Sequence, residues 1–111
     1  MAISYKVLGQ SKPTAATATT LYTVPAGSGN YAVASTLTIC NTTGDIDEFN
    51  IAVRPAGATL EDKHYIVYES GIGPYISHNY TLGLTLGATD VVTVYSTNGK
   101  LSFNLFGSEN S

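Results

Sequence analysis

The stretch Tyr31-Ala32-Val33-Ala34-Ser35-Thr36-Leu37-Thr38-Ile39 sets Tyr31, Val33, Ser35, Leu37 and Ile39 at odd positions against Ala32, Ala34, Thr36 and Thr38 at even ones. Side chains of an extended chain point alternately to opposite faces, so a larger, more apolar residue at every second position describes a half-buried strand. The same period of two recurs outward from this stretch. Phe49, Ile51 and Val53 alternate with Asn50, Ala52 and Arg54. Tyr80, Leu82, Leu84 and Leu86 alternate with Thr81, Gly83 and Thr85, and Leu101, Phe103 and Leu105 with Ser102 and Asn104. Residues 19–24 add a shorter strand that stops at Pro25. Residues 64–69 and 90–96, β-branched and rich in tyrosine, read as strands buried on both faces. Residues 5–8 read as an edge strand or an arm.

Turn chemistry separates these runs. Pro25-Ala26-Gly27-Ser28-Gly29-Asn30 is a loop, because proline fixes φ and glycine permits positive φ. Thr42-Thr43-Gly44-Asp45 turns the chain again. Asn98-Gly99 between two apolar runs signals a β-hairpin, since a type I′ turn needs positive φ at both central residues. Residues 55–63 have room for one short helical turn. Seven or eight short strands at this spacing predict an all-β fold, an antiparallel β-sandwich of jelly-roll-like form with a flexible N-terminal arm. The expected division is 1–18 for the N-terminal strand or arm and 19–111 for the sandwich, with the Thr- and Ala-rich residues 11–20 as the connection. The expected core is Val33, Leu37, Ile39, Phe49, Ile51, Val53, Ile66, Leu82, Leu84, Val92, Val94, Leu101 and Phe103.

A chain of 111 residues suits one domain, with about 5,800 Å² exposed when folded. Hydrophobic residues make up 43% of it and charged residues 12%, about half the usual ~25%. A surface so poor in charge is weakly protected against association. The formal net charge is −3, and Lys6, Lys12, Arg54, Lys63 and Lys100 are scattered. That distribution lacks the basic cluster that neutralises phosphates, so no nucleic-acid partner is expected. No run approaches ~18 consecutive apolar residues, so no membrane span is expected. Met1-Ala2-Ile3-Ser4-Tyr5-Lys6 lacks the basic start and apolar run of a signal peptide, which leads to an expectation of folding in the cytoplasm.

Residues that carry chemistry are few. His64 and His78 do not stand at a zinc-ligand spacing, and Cys40 ends a strand in apolar surroundings, where a thiol acts as a small hydrophobe. Neither a nucleophile elbow nor a phosphate-binding loop occurs. No catalytic residue, cofactor site or metal site is therefore expected. Asp45, Asp47 and Glu48 form the densest ionic cluster, but without the glycine and the later bidentate glutamate of a calcium loop they read as a solvated turn. Asn41-Thr42-Thr43 and Asn79-Tyr80-Thr81 match a glycosylation acceptor by chance. Of the eight tyrosines, Tyr65, Tyr68, Tyr75, Tyr80 and Tyr95 suit either half-buried sheet positions or the lining of a groove or interface.

Taken in order, several segments have a familiar pattern. Leu21-Tyr22-Thr23-Val24-Pro25-Ala26-Gly27 is followed by Ser35-Thr36-Leu37-Thr38-Ile39-Cys40-Asn41 and by Phe49-Asn50-Ile51-Ala52-Val53-Arg54-Pro55-Ala56-Gly57. Asp62-Lys63-His64-Tyr65-Ile66, Thr89-Asp90-Val91-Val92-Thr93-Val94-Tyr95 and Phe103-Asn104-Leu105-Phe106-Gly107 complete the series. In this order the chain resembles, over residues 8–109, small virion structural proteins of tailed bacteriophages, notably those of cyanobacterial and marine bacterial hosts. The resemblance implies no enzyme activity. It implies a structural role in the virion, as a capsid decoration (cement) protein or as a tail, baseplate or fibre-associated protein. The implied partners are other virion proteins and further copies of the chain, with a trimer as the expected homo-oligomer. Candidate interface residues are Ile3, Tyr5, Val7 and Leu8 of a strand available for exchange, with Tyr75 and Tyr80. A reading of another class is a carbohydrate-binding sandwich module, with Tyr75 or Tyr80 stacking on a sugar. A small hydrolase using His64 or His78 is a more distant one.

Overall fold

The computed structural model describes residues 2–111, and each run with a period of two lies within a strand. The strands are β1 (Ile3–Ser11), β2 (Thr19–Thr23), β3 (Tyr31–Asn41), β4 (Asp47–Arg54), β5 (Tyr65–Ile72), β6 (Ser77–Gly87), β7 (Val91–Ser96) and β8 (Leu101–Asn110). They form two four-stranded sheets, ordered β1-β8-β3-β6 and β2-β7-β4-β5. Every neighbouring pair is antiparallel. Only β4 and β5 are joined within one sheet, and every other connection crosses to the opposite sheet. That winding is the eight-stranded jelly roll. Residues 55–63 hold two single 3₁₀ turns, Pro55–Gly57 and Asp62–His64.

The core fills the space between the sheets. Leu37, Ile39, Phe103 and Leu105 from one sheet meet Phe49, Ile51, Val92 and Val94 from the other, all fully buried. Phe49 and Phe103 meet edge to face with ring centroids 6.2 Å apart, the geometry that aromatic quadrupoles favour. The accessible surface, 5571 Å², is close to the ~5,800 Å² expected of a compact chain of this mass.

Val33 and Ile66 depart from the expected core. The β3 alternation changes phase at Ser35, where the pairing of β3 with β8 slips between Ala34 and Thr36. Ala32 and Ala34 therefore face inward before the bulge, and Leu37 and Ile39 after it, while Val33 lies half-buried on the outer face. A bulge inserts one residue and so exchanges the two faces. Ile66 stands at a similar slip in β5 and is 45% exposed. β5 is an edge strand open on one face, not a strand buried on both. Val53, Leu82 and Leu84 are half-buried and pack against the core from its margin.

Of the two readings of residues 5–8, an edge strand or an arm, the structure shows the edge strand, extended to residues 3–11. β1 pairs with β8 from Ile3 opposite Asn110 to Ser11 opposite Phe103. Without β1, strand β8 would be left with an unpaired edge. Met1 lies outside the described residues. The connection that follows is held to the sandwich, with the Ala16 N–H donating to the Ser96 carbonyl at 2.9 Å.

Asn98-Gly99 is not a hairpin turn, because β7 and β8 belong to different sheets. Its organiser is the fully buried Asp47. The Asp47 carboxylate accepts from the Ser96 hydroxyl (2.6 Å) and from the N–H groups of Glu48 (2.7 Å), Asn98 (2.9 Å) and Lys100 (3.0 Å). Gly99 supplies the positive φ, 70°, that the crossing requires.

Candidate functional site

The register of the β1-β8-β3-β6 sheet arranges its outward side chains in rows across all four strands. One row is Ile3, Asn110, Tyr31 and Gly87, and the next is Tyr5, Ser108, Val33 and Thr85. Then come Val7, Phe106, Thr36 and Thr81, followed by Gln10, Asn104, Thr38 and Asn79. The last row is tied by hydrogen bonds from Gln10 to Asn104 (2.7 Å) and from Thr38 to Asn79 (2.8 Å). Among the described residues, no charged side chain stands in these four rows.

The first three rows form an apolar end of this face. Ile3 is 56% exposed, Tyr5 86%, Val7 47% and Tyr31 39%. Between them lies a groove of about 490 Å³, lined by Tyr5, Val33, Ser35, Phe106, Gly107 and Ser108, and by Lys6. The Lys6 ammonium is engaged with Glu109 at 3.0 Å. Glu109, buried, also accepts from the Tyr22 hydroxyl of the opposite sheet. The Tyr22 bond, then that of Lys6, holds the Glu109 carboxyl below its usual pKa against the opposing effect of burial. Burial, then the bond to Glu109 and its negative charge, raises the Tyr22 phenol well above its usual value. This trio joins the edge strand β1, the end of β8 and strand β2.

The outer face of the β2-β7-β4-β5 sheet carries a second concavity. Glu48 and Asn50 of β4 and Tyr95 of β7 line a groove of about 530 Å³ together with Tyr65, Tyr68 and Glu69 of β5. Leu60, Thr97 and Ala16 and Ala18 of the β1–β2 connection close its sides. Next to it a smaller hollow of about 380 Å³ is lined by Asp62, Tyr65 and Tyr68. The rings of Tyr65 and Tyr68 meet at 4.8 Å between centroids with planes 68° apart. Burial raises the Tyr65 phenol above its usual pKa, with Tyr68, Asp62 and Tyr95 adding to the shift.

The candidate interface residues do not form one cluster. Ile3, Tyr5 and Val7 share the apolar end of the outer face, whereas Leu8 packs on the core at a β1 bulge. Tyr75, 76% exposed, sits on the β5–β6 turn, where its N–H donates to the Thr43 carbonyl. Tyr80 is half-buried and lies edge-on to Phe49 at 6.3 Å, packed against the core. Tyr75 and Tyr80, the tyrosines that the sequence offers for sugar stacking, do not line the groove. Of the five singled out, Tyr65, Tyr68 and Tyr95 are brought together.

The other groups with chemical potential have local partners. His64 accepts from the Glu61 N–H at 3.0 Å, and His78 lies against the Phe49 ring at 6.1 Å. Cys40 is half-buried, on the outward phase of β3 opposite Ser77 and Ser102. Asp45 faces Lys100 at 3.7 Å, while Asp47 is turned into the fold. Burial pushes the Asp47 carboxyl up, but the bonds from Ser96, Asn98, Glu48 and Lys100 together hold it below its usual pKa. Among the described residues, no group of three or more His, Cys, Asp or Glu side chains is placed to hold a metal ion. Asn41 is fully buried, and its amide donates to the carbonyls of Asp45 (2.6 Å) and Gly73 (3.1 Å), which removes it as a glycan acceptor.

Fold and faces together describe a jelly-roll domain with four uncharged rows on one sheet face and a tyrosine-lined groove on the other. Comparison with protein-family models, curated proteins and solved structures finds no match to this chain.

Proposed function

We propose that this chain is a structural protein of a tailed-bacteriophage virion, a capsid decoration subunit that assembles with further copies of itself. The observation that carries the self-assembly is the outer face of the β1-β8-β3-β6 sheet, apolar at one end and free of charge through its four rows. Like charges on two facing surfaces repel, and here the four rows carry none, while Lys6 at the groove is paired with Glu109. Burial of Ile3, Tyr5 and Val7 supplies the driving force, at roughly 25 cal/mol per Å² of apolar surface removed from water. The hydroxyl and amide groups of the remaining row supply hydrogen bonds that set the register of the contact. Homo-oligomers commonly close by symmetry, and the proposed trimer closes where this face meets a different patch of the next copy in turn. The virion assignment rests on the ordered series of segments from Leu21 to Gly107 that resembles phage structural proteins. Its placement on the head rests on the shape, a tile of 44 × 28 × 20 Å.

Sedimentation of the purified protein, with immunogold labelling of phage particles that encode it, tests both parts. A homo-oligomer that becomes monomeric in Tyr5→Asp and Val7→Asp, with far-UV circular dichroism unchanged, is the expected result. A wild-type monomer at high concentration overturns the self-assembly. Label spread over the head supports decoration, and label at one tail end moves the protein to the tail or baseplate. Particles without label overturn the virion role.

A further inference from the structure

The groove on the outer face of the β2-β7-β4-β5 sheet is built by irregularities in β5. Tyr65 and Tyr68 are three residues apart, a spacing that places side chains on opposite faces of a regular strand. The pairing of β5 with β4 slips between Tyr65 and Val67, so Ile66 is an extra residue that brings both rings to one face. A second slip follows between Val67 and Ser70, where Glu69 takes a φ of 48°. A non-glycine residue in the left-handed region is strained, and such strain concentrates where a side chain must be aimed. Asn50 holds this backbone in place, its Oδ1 accepting from the Glu69 N–H at 2.6 Å. Asn50 is 9% exposed, and its amide nitrogen makes no hydrogen bond to any described residue, yet solvent reaches it.

The groove therefore offers flat aromatic surface, carboxylate acceptors at Glu48 and Glu69, and an unused amide donor at Asn50. We propose that this groove binds a neutral carbohydrate chain, with one sugar ring against Tyr68 and its hydroxyls bonded to Glu48, Glu69 and Asn50. The apolar face of a pyranose packs on an aromatic ring, while its equatorial hydroxyls both donate and accept at its edge. The carboxylates of Glu48, Glu69 and Asp62 repel acidic sugars. The adjoining hollow at Asp62 extends the site beyond one ring and favours a chain over a compact ligand. A quaternary ammonium also suits aromatic and acidic groups, but it prefers rings that enclose it, and Tyr68 is 60% exposed.

The site lies on the sheet opposite the proposed assembly face, so the two readings fail separately. The test is binding of the full chain to an array of neutral hexose and pentose oligosaccharides, followed by titration with the glycan that binds. Tetramethylammonium serves as the competing probe, and Tyr68→Ala, Tyr68→Phe, Glu48→Gln and Tyr5→Asp as variants. The expected result is binding that Tyr68→Ala weakens by about tenfold or more and Tyr68→Phe largely keeps. Glu48→Gln also weakens it, and Tyr5→Asp leaves it unchanged. Thermal melts show that each variant folds. Absence of binding across the array overturns the proposal, as does binding indifferent to Tyr68→Ala. Displacement of the glycan by tetramethylammonium at equal affinity reassigns the groove to cations and overturns it as well.

Discussion

Two buried carboxylates, Glu109 and Asp47, give this fold its acid response, and Glu109 also ties down the edge strand. Glu109 joins Lys6 of β1 to Tyr22 of β2, and Asp47 gathers the β7–β8 crossing. Both carboxyls bind a proton less readily in the folded chain than in the unfolded one. The stability they contribute is present above the ordinary carboxylate range, about pH 4, and is lost as pH falls through their lower folded values. Tyr22 has the opposite sign. Its folded pKa is raised, so its contribution is full below about pH 10 and is lost as pH rises beyond that. Thermal melts across pH should give a plateau with two falling limbs. Glu109→Gln is expected to flatten part of the acid limb, and Tyr22→Phe to flatten the alkaline one. A Tyr22→Phe protein whose alkaline limb matches the wild type would show that the phenol is not the responsible group.

At the scale of elements, bulges decide which side of each sheet a residue serves. The slip at Ser35 turns Ala32 and Ala34 inward opposite Glu109 and Gly107 of β8. The approach is close there. A Cβ on Gly107 would stand 2.1 Å from the Val33 carbonyl oxygen and 2.9 Å from the Ala34 Cα. Both neighbours are backbone and cannot swing aside, so Gly107→Ala must displace β3 from β8. Overpacking of this kind costs about 1–3 kcal/mol, and a site walled by backbone belongs at the upper end. Urea denaturation measures it. Gly83→Ala is the control, because nothing lies within 4 Å of its added methyl. Equal midpoints for the two variants would contradict the bulge geometry. The slips in β5 act in the same way on the other sheet, turning Tyr65 and Tyr68 to a common face.

For the molecule as a whole, stability resides in the layer between the sheets. Phe103 is fully buried at its centre and edge-on to Phe49. Phe103→Ala is expected to cost about 3–5 kcal/mol, a large share of the 5–15 kcal/mol typical of a domain. Equilibrium unfolding of the variant checks this, and a loss below about 1 kcal/mol would mean the site collapses without a cavity. The two outer faces are free of that duty. One carries the four uncharged rows and the other the tyrosine groove, so the proposed assembly and ligand contacts lie on opposite sides of the core layer.

Local patterning reveals the strands, the places where the chain turns and the central part of the core, but not Leu21, Val24, Ala32, Ala34, Ile72 or Leu86, which are buried as well. Phe49, Ile51, Leu37, Ile39, Leu101 and Phe103 were legible as core because alternation is a local property of the extended chain. Asn98-Gly99 was legible as a turn for the same reason, since its backbone preference is local. Tertiary structure alone decided where that alternation breaks. Ser35 and Ile66 carry no local signal of a bulge, and which strand receives the extra residue depends on partners far along the chain. Alternation alone therefore points Val33 and Ile66 inward, where the fold does not put them. The same long-range pairing settled that residues 3–11 belong to the sheet and that Asn98-Gly99 crosses between sheets. It also chose Tyr65, Tyr68 and Tyr95, and not Tyr75 or Tyr80, for the groove. A strand's pattern is written in its own residues, but its register is a property of two chains of residues meeting, and only the fold brings them together.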